Sequence, residues 1–271
     1  MNRGLLGKAW RESWLATLFF GAGLALFELL LAYALLDFVD QMSAILTQVK
    51  FAQRVFHALL GTNLTDRLGP EVLESIAWVH PAVLALVWAH AIIYCTRVPA
   101  GEVDRGTIDV LLGLPVSRWQ IYRNESLVWL GSGIAILLLA AAGNVLGRVI
   151  AATGPRIDSW RLAALIANLF SLYLAVGGLT WLVSALSDRR GRAMAVVFVF
   201  LLGSFLLNFL TQFWSMADRL SFLSLLHYYS PLLIMRDGLW PIRDVIVLFT
   251  VGGVLWVAGG VVFSRRDLAT L

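Results

Sequence analysis

The stretch Gly4-Leu-Leu-Gly-Lys-Ala9 comes nearest in this sequence to a nucleotide-binding loop. Cradling phosphates takes widely spaced glycines, a lysine, and a serine or threonine whose hydroxyl holds Mg²⁺. Here the glycine spacing is too short, Ala9 stands where the hydroxyl belongs, and Lys8 and Lys50 are the only lysines. The chain is therefore not expected to hydrolyse ATP. Ser132, in Leu130-Gly-Ser-Gly133, approaches a G-x-S-G nucleophile, but Leu130 replaces the first glycine. A lone serine among glycines packs helices more often than it attacks bonds. Histidines 57, 80, 90 and 227 have no metal-ligand spacing, and the single cysteine, Cys95, excludes an intrachain disulfide and a thiolate metal site. No catalytic residue and no metal ligand is assigned. Glu28 is the one acid well inside an apolar run, where an ionisable group is costly unless paired or wetted. Two readings stay open for it: a place on a translocation path or dimer seam, or an acid protonated or hydrogen-bonded to Ser, Asn or backbone.

The elements that would position these residues follow from composition. Of 271 residues, 59% are hydrophobic and 14% charged, whereas a soluble domain carries roughly a quarter charged. The charges gather between apolar runs, so the class is an all-α, multispanning membrane protein. Basic residues at span ends account for the net charge of +4, and no basic patch offers itself to nucleic acid. Six runs are long enough to span: Leu15–Leu36, Ile76–Thr96, Ser126–Leu146, Leu162–Leu186, Ala193–Trp214 and Val245–Phe263. The first outlasts the core of a signal peptide and is read as retained. An even number of spans puts both termini on one side. The N-terminus, the second and fourth connections and the tail carry 12 of the 21 Lys and Arg residues, in shorter segments than the 9 opposite. The positive-inside rule then places both termini in the cytoplasm of a cell (inner) membrane.

Residues 2–13 read as an interfacial amphipathic helix, with Leu5, Leu6, Ala9 and Trp10 at helical spacing. Residues 37–75 form the longest external loop, with an amphipathic helix marked by Ile45, Val49, Ala52, Phe56 and Leu59, and a glycosylation-type triplet at Asn63. Residues 215–242 are too apolar for a free loop, yet Ser230-Pro231 and Asp237-Gly238 break them. Two short helices dipping into the outer leaflet fit both facts, and irregular backbone at that depth must lie against protein or a wet cavity. Tyr228, Tyr229, Ser230 and Pro231 fall in this re-entrant segment. Gly143 and Gly147 allow a close helix approach in the third span, more readily within the bundle than between copies.

Between the second and third spans lies Ala100–Trp119. Val103, Thr107, Val110, Leu111 and Leu114 follow one helical face, with Glu102, Arg105 and Asp109 mainly off it. Gly113 and Pro115 close this helix over 102–114, and Ser117 with Gln120 has the spacing of a capping box opening the next. A helix this short is marginal in water and needs a surface, either lipid headgroups or a protein groove.

Glu102, Gly106-Thr107, Leu111-Leu112 and Pro115-Val116-Ser117-Arg118 resemble the E-x-x-x-G-T-(I/L)-x-x-L-L-x-x-P-V-S-R signature of ABC-2 type exporter permeases. The basic amphipathic N-terminus, six spans, Tyr228–Leu232 (YYSPL) with Gly238, and Phe263–Leu268 (FSRRDL) extend the likeness. The resemblance implies that Glu102, Arg105, Gly106, Thr107, Val110, Leu111, Leu112, Leu114, Pro115, Ser117 and Arg118 form a coupling helix seated in an ATP-binding subunit. It also implies an N-terminal elbow helix and re-entrant external helices. The expected assembly is two ATPase subunits with this chain and a second copy or a paralogue, in the lipid bilayer. ATP and Mg²⁺ would be held by the partner and no cofactor by this chain. Asn124 and Glu125 depart from the family, where a basic residue is common, as does the long first external loop; the substrate does not follow. The alternatives are a secondary carrier or channel not driven by ATP, which leaves the coupling segment unexplained, and an intramembrane enzyme.

Overall fold

The computed structural model describes residues 3–37, 70–113, 115–151, 158–211 and 213–266, with the backbone alone at 36–37, 70–73 and 111–112. The expected loop helix over Ile45–Leu59, the triplet at Asn63, Leu114 and the end of the tail lie outside the described residues, as do the side chains of Leu111 and Leu112. Among the described residues the chain is helical throughout, without strands. Five helices among the described residues are long and apolar enough to cross a membrane.

The first helix, α1, runs unbroken over Arg3–Asp37. The separate interfacial helix expected over 2–13 is thus continuous with the first span. No proline interrupts residues 3–37, Lys8 pairs with Glu12 one turn on at 3.2 Å, and two hydroxyls turn inward onto the helix. Ser13 Oγ donates to Ala9 O at 2.8 Å and Thr17 Oγ1 to Ser13 O at 3.0 Å. The expected second span is instead two helices, α2 (Pro70–Val79) and α3 (Pro81–Cys95). Pro81 has no N–H to continue α2, and His80, extended at ψ 130°, caps α3 by accepting Ala82 N–H on Nδ1 at 3.2 Å.

Two very short helices follow, α4 (Pro99–Asp104) and α5 (Ile108–Leu112), then α6 (Arg118–Ala151), α7 (Ser159–Leu186) and α8 (Arg190–Leu210). The capping box of α6 forms as read: Ser117 N donates to Gln120 Oε1 at 3.1 Å, and Gln120 N to Ser117 Oγ at 3.2 Å. That cap lets α6 begin well before the expected Ser126. Where two short helices were expected over 215–242, the chain forms α9 (Ser215–Arg219), two 3₁₀ turns (Ser221–Leu223, Leu225–Tyr228) and α10 (Pro231–Asp237). The last helix, α11, spans Ile242–Arg265.

The bundle is organised by two glycine-lined helix pairs. In the α1–α6 pair a Cβ on Gly143 would lie 2.0 Å from Ala25 O, and one on Gly147 would lie 2.3 Å from Leu29 O. Backbones therefore touch directly, and dispersion forces act over the whole crossing. In the α7–α11 pair a Cβ on Gly178 would meet Gly252 O at 2.2 Å. α7 is buried on most of its circumference. α8 buries a single stripe (Ala193, Val197, Leu201, Ser204) and leaves Phe198, Val199 and Phe200 exposed. Cys95, His90 and Trp181 all lie in the shared core.

Candidate functional site

The end of the bundle that carries Arg3, the α3–α6 connection and the α7–α8 turn holds most of the polar side chains that join separate elements. α4 is the centre of it. Its first residues, Pro99 to Glu102, are buried. Gly101 packs where a Cβ would meet Thr96 O at 3.1 Å and Arg190 Cδ at 3.3 Å, and Ala100 N donates to Ser184 Oγ of α7 at 3.1 Å.

The helix then stops in a way that explains the spacing of Glu102, Gly106 and Thr107. Gly106 takes φ +68°, a left-handed conformation that side chains disfavour. Its N–H donates to Val103 O at 3.0 Å, and the Thr107 N–H reaches back to Glu102 O at 3.0 Å. These two bonds are the paired closure that satisfies the last carbonyls of a helix. The side chains repeat it: Thr107 Oγ1 donates to Glu102 Oε2, and Arg105 Nη2 to Glu102 Oε1 at 3.0 Å. Lys8 of α1 stands 3.9 Å from the same Oε1. Glu102, expected off the apolar face, is buried because it is the acceptor around which the turn is built.

This turn resets the helical register, so Val103 and Val110, expected on one apolar face, do not share one surface. α5 begins afresh at Ile108, which is buried, whereas Val110 is 76% exposed. Thr107, Asp109, Gly113, Pro115 and Ser117 are exposed around it. Arg118 donates to Arg266 O, and Arg266 Nη2 to Asp188, which ties the start of α6 to the end of α11 and the α7–α8 turn.

A second ionic knot lies beside the first. Arg97, just past α3, forks between Glu12 of α1, at 2.9 Å from Nη1, and Glu125 of α6, on Nη2. Its guanidinium lies 5.1 Å from the Tyr94 ring centre, and Tyr94 Oη donates to Glu125 O at 3.3 Å. Burial alone would lower the Arg97 pKa, but the Glu125 and Glu12 carboxylates outweigh it and raise it, so the charge is permanent. Arg190, first residue of α8, donates from Nη2 to Ile93 O at 2.9 Å and from Nε to Thr96 Oγ1 at 3.4 Å. Its main-chain N–H donates to Asp104 Oδ2 at 3.3 Å. Lys8 of α1, Ser184 of α7 and Arg190 of α8 thus all reach α4, while Arg97, just before it, joins α1 to α6.

The model of the ABC-2 family transporter protein matches residues 8–268. The chain belongs to the ABC-2 transporter family. No curated protein and no solved structure matches it at a significant level. The ABC-2 assignment and the apolar helices make it a multi-pass membrane protein, a membrane component of a transporter.

Glu125, one of the two departures from the expected pattern, is buried near the start of α6. The acid stands where a basic residue was expected, and it neutralises Arg97. Residues 4–9, weighed as a phosphate loop, lie within α1, with Lys8 engaged by Glu12. Ser132 is buried in α6 and donates to Trp129 O at 2.9 Å, a packing role.

At the opposite end, Tyr228 O accepts from Asn168 Nδ2 at 3.0 Å and Ser230 N donates to Asn168 Oδ1 at 3.4 Å. Tyr229 Oη donates to Trp78 O at 3.1 Å, and Pro231 is buried at the start of α10. The irregular backbone of the α8–α11 connection is thus held against protein. Glu28 lies in the α1–α6 seam, fully buried, with Oε2 accepting from Asn144 Nδ2 at 3.0 Å. It faces the inside of the fold rather than an outer face where a second copy could meet it. Nearby, Glu74 accepts from Trp78 Nε1 at 2.7 Å and pairs with Arg148. Sequence reasoning missed Arg97, Arg148 and Arg190 as organising residues. The only signal for them is a charge at a span end.

Proposed function

We propose that this chain is the permease subunit of an ABC exporter, paired with a second permease copy or a paralogue and driven by two separate ATPase subunits. α1, the α2–α3 pair, α6, α7, α8 and α11 serve as six spans, and both termini face the cytoplasm of a cell membrane. α4–α5 is the coupling element seated on the ATPase. The external α9–α10 segment dips toward the mouth of the pathway. ATP and Mg²⁺ belong to the partner.

The observation that carries this reading is the asymmetry of α4–α5. Its inner side is fixed to α1, α7 and α8 and to the end of α3 through Glu102, Ala100, Gly101 and Arg190, while Val110 and Asp109 are left uncovered on α5. A lipid-resting helix would have no use for so many ties to separate elements; a lever does. The charge count, 12 basic residues in the segments assigned to this side against 9 in the other connections, supports the cytoplasmic placement.

The test is a charge on the uncovered face. Val110→Glu leaves every bond of the Glu102 turn intact, so expression and insertion should match wild type. Buried in a partner groove, the carboxylate would be desolvated and unpaired. Co-purification with the ATPase and its transport-stimulated hydrolysis should both fall at least tenfold, a loss of about 1.4 kcal/mol. A Val110→Glu protein that binds its ATPase and couples normally would refute the coupling role.

A further inference from the structure

A cavity of about 430 Å³ opens at the α4 end of the bundle, where α1, α3, α8 and the α4–α5 turn meet. We infer that it binds a phosphate-bearing ligand, with the phosphate on Arg190 and Arg105 and the remainder directed toward His90. This goes beyond the coupling reading and does not depend on the ATPase.

The cavity is graded in polarity. Arg97, Arg105 and Arg190 all line it, against one lining carboxylate, Glu12. Along α3 the wall passes from Arg97 to Tyr94 and then His90, about 1.5 Å deeper for each helical residue. Exposure falls accordingly, from 56% for the Arg105 side chain to 1% for His90.

The cations are not equally occupied. Arg97 gives Nη1 to Glu12 and Nη2 to Glu125, and Arg105 gives Nη2 alone to Glu102. The Arg190 guanidinium is in no ion pair among the described residues. Its two bonds go to a carbonyl and a hydroxyl, and Asp104 accepts from its main chain, not from the guanidinium. A guanidinium has five N–H donors, so Arg190 keeps donors and a charge without an ion-pair partner beside two other arginines. Such a planar fork suits phosphate oxygens.

The floor has its own vacancies. His90 Nδ1 is 3.1 Å from Tyr173 Oη, while Nε2 is buried without a partner, as is Arg97 Nε. Buried polar atoms are nearly always bonded, and both of these belong to residues lining one cavity. Ala16 and Ile93 supply apolar wall between them and the mouth. Head charge, apolar wall and a polar floor match a phosphate ester with a short body better than a bare anion. The source could be the headgroup of an anionic phospholipid or a soluble phosphate ester, and the experiment separates the two.

The full-length protein is purified in neutral detergent and its thermal unfolding followed with added phosphatidylglycerol, phosphatidylcholine or glycerol 3-phosphate. Wild type should gain stability in a saturable way with phosphatidylglycerol or with glycerol 3-phosphate, and not with phosphatidylcholine. Saturation by phosphatidylglycerol alone assigns the lipid headgroup; saturation by glycerol 3-phosphate assigns a soluble ester. Arg190→Gln should weaken the apparent affinity about tenfold, as loss of a charge-assisted contact, and Arg190→Lys should restore part of it. Because Arg190→Gln also frees Ile93 O, Arg105→Gln serves as the second variant: the residue is largely exposed and should weaken binding without changing the gel-filtration profile. Equal affinity in wild type and both Gln variants, or no saturable effect of either phosphate compound, overturns the proposal.

Discussion

Replacing Gly143 by alanine tests the idea that backbone contact between α1 and α6 fixes the bundle. The added Cβ would lie 2.0 Å from Ala25 O, whereas ordinary contact begins at 3.4 Å. The obstacle is helix backbone, which cannot rotate aside like a side chain. The two helices must separate locally, and the Asn144–Glu28 bond of 3.0 Å, one residue on, cannot survive a shift of that size. Overpacking costs about 1–3 kcal/mol, and an orphaned buried polar pair about 1–3 kcal/mol more. Alanine returns about 1 kcal/mol of helix propensity. The net loss is therefore roughly 1–5 kcal/mol, centred near 3. Gly131→Ala is the internal control, since it lies in the same helix and a Cβ there meets nothing within 4 Å. Thermal unfolding of both variants in one detergent, read by loss of the monodisperse gel-filtration peak, should show Gly143→Ala well below wild type and Gly131→Ala level with it or above. Indistinguishable midpoints for the two variants would refute the contact.

Glu28→Gln should leave stability within about 1 kcal/mol of wild type, because the amide can accept from Asn144 and also donate to Asn144 Oδ1, which has no partner now. Glu28→Leu should fall below it by about 1–3 kcal/mol; equal unfolding of the two variants would remove the polar bond from the account. Arg97→Met and Glu125→Leu should each destabilise by about 3–5 kcal/mol, and the double variant by clearly less than their sum, since no buried charge is then left alone. A strictly additive cycle in thermal unfolding would mean that the two residues act separately. With Cys95 fully buried, a Cys95→Ser background carrying Arg189→Cys reports orientation: impermeant maleimide should label it only in opened cells, and labelling of intact cells would reverse the assigned topology.

The spans were legible because their driving force is written in the local composition. Ser126–Leu146, Leu162–Leu186 and Val245–Phe263 fall wholly inside α6, α7 and α11. Their ends were not, since hydropathy ignores capping: the Ser117–Gln120 box was visible, and it extends α6 beyond the apolar run. The break at His80–Pro81 also carried a local mark, a proline without an N–H, but the long apolar run on both sides outvoted it. On α4–α5, Glu102, Gly106 and Thr107 were recognisable as a pattern, whereas its meaning, a closed turn that divides the helix, needed the backbone angle of Gly106. The ionic braces were out of reach. Arg97 and Glu125 are 28 residues apart, and Arg190 and Thr96 are 94 apart, and no periodicity links charges at the ends of different helices.

The same distribution of forces bears on how such a bundle would move. Where glycines bring backbones into contact, in α1–α6 and α7–α11, sliding or opening would lose dense packing at once, so each pair is expected to travel as a unit. α8 is held otherwise, by one narrow stripe along its length and by Arg190 at its first residue. Its far end is tied through Ser204, which bonds Ser224 and accepts from Leu225 N at 3.0 Å. Under the proposed coupling, α4 would act on α8 through Arg190 and on α1 through the Glu102–Lys8 pair, while Arg97, just before α4, bridges α1 and α6. A change in the width of the cavity lined by Arg97 and Arg190 would act on the polar contacts at its rim rather than on the glycine seams. One rim of the cavity is Arg190, whose guanidinium is in no ion pair among the described residues and which also begins α8, the helix held by a single buried stripe.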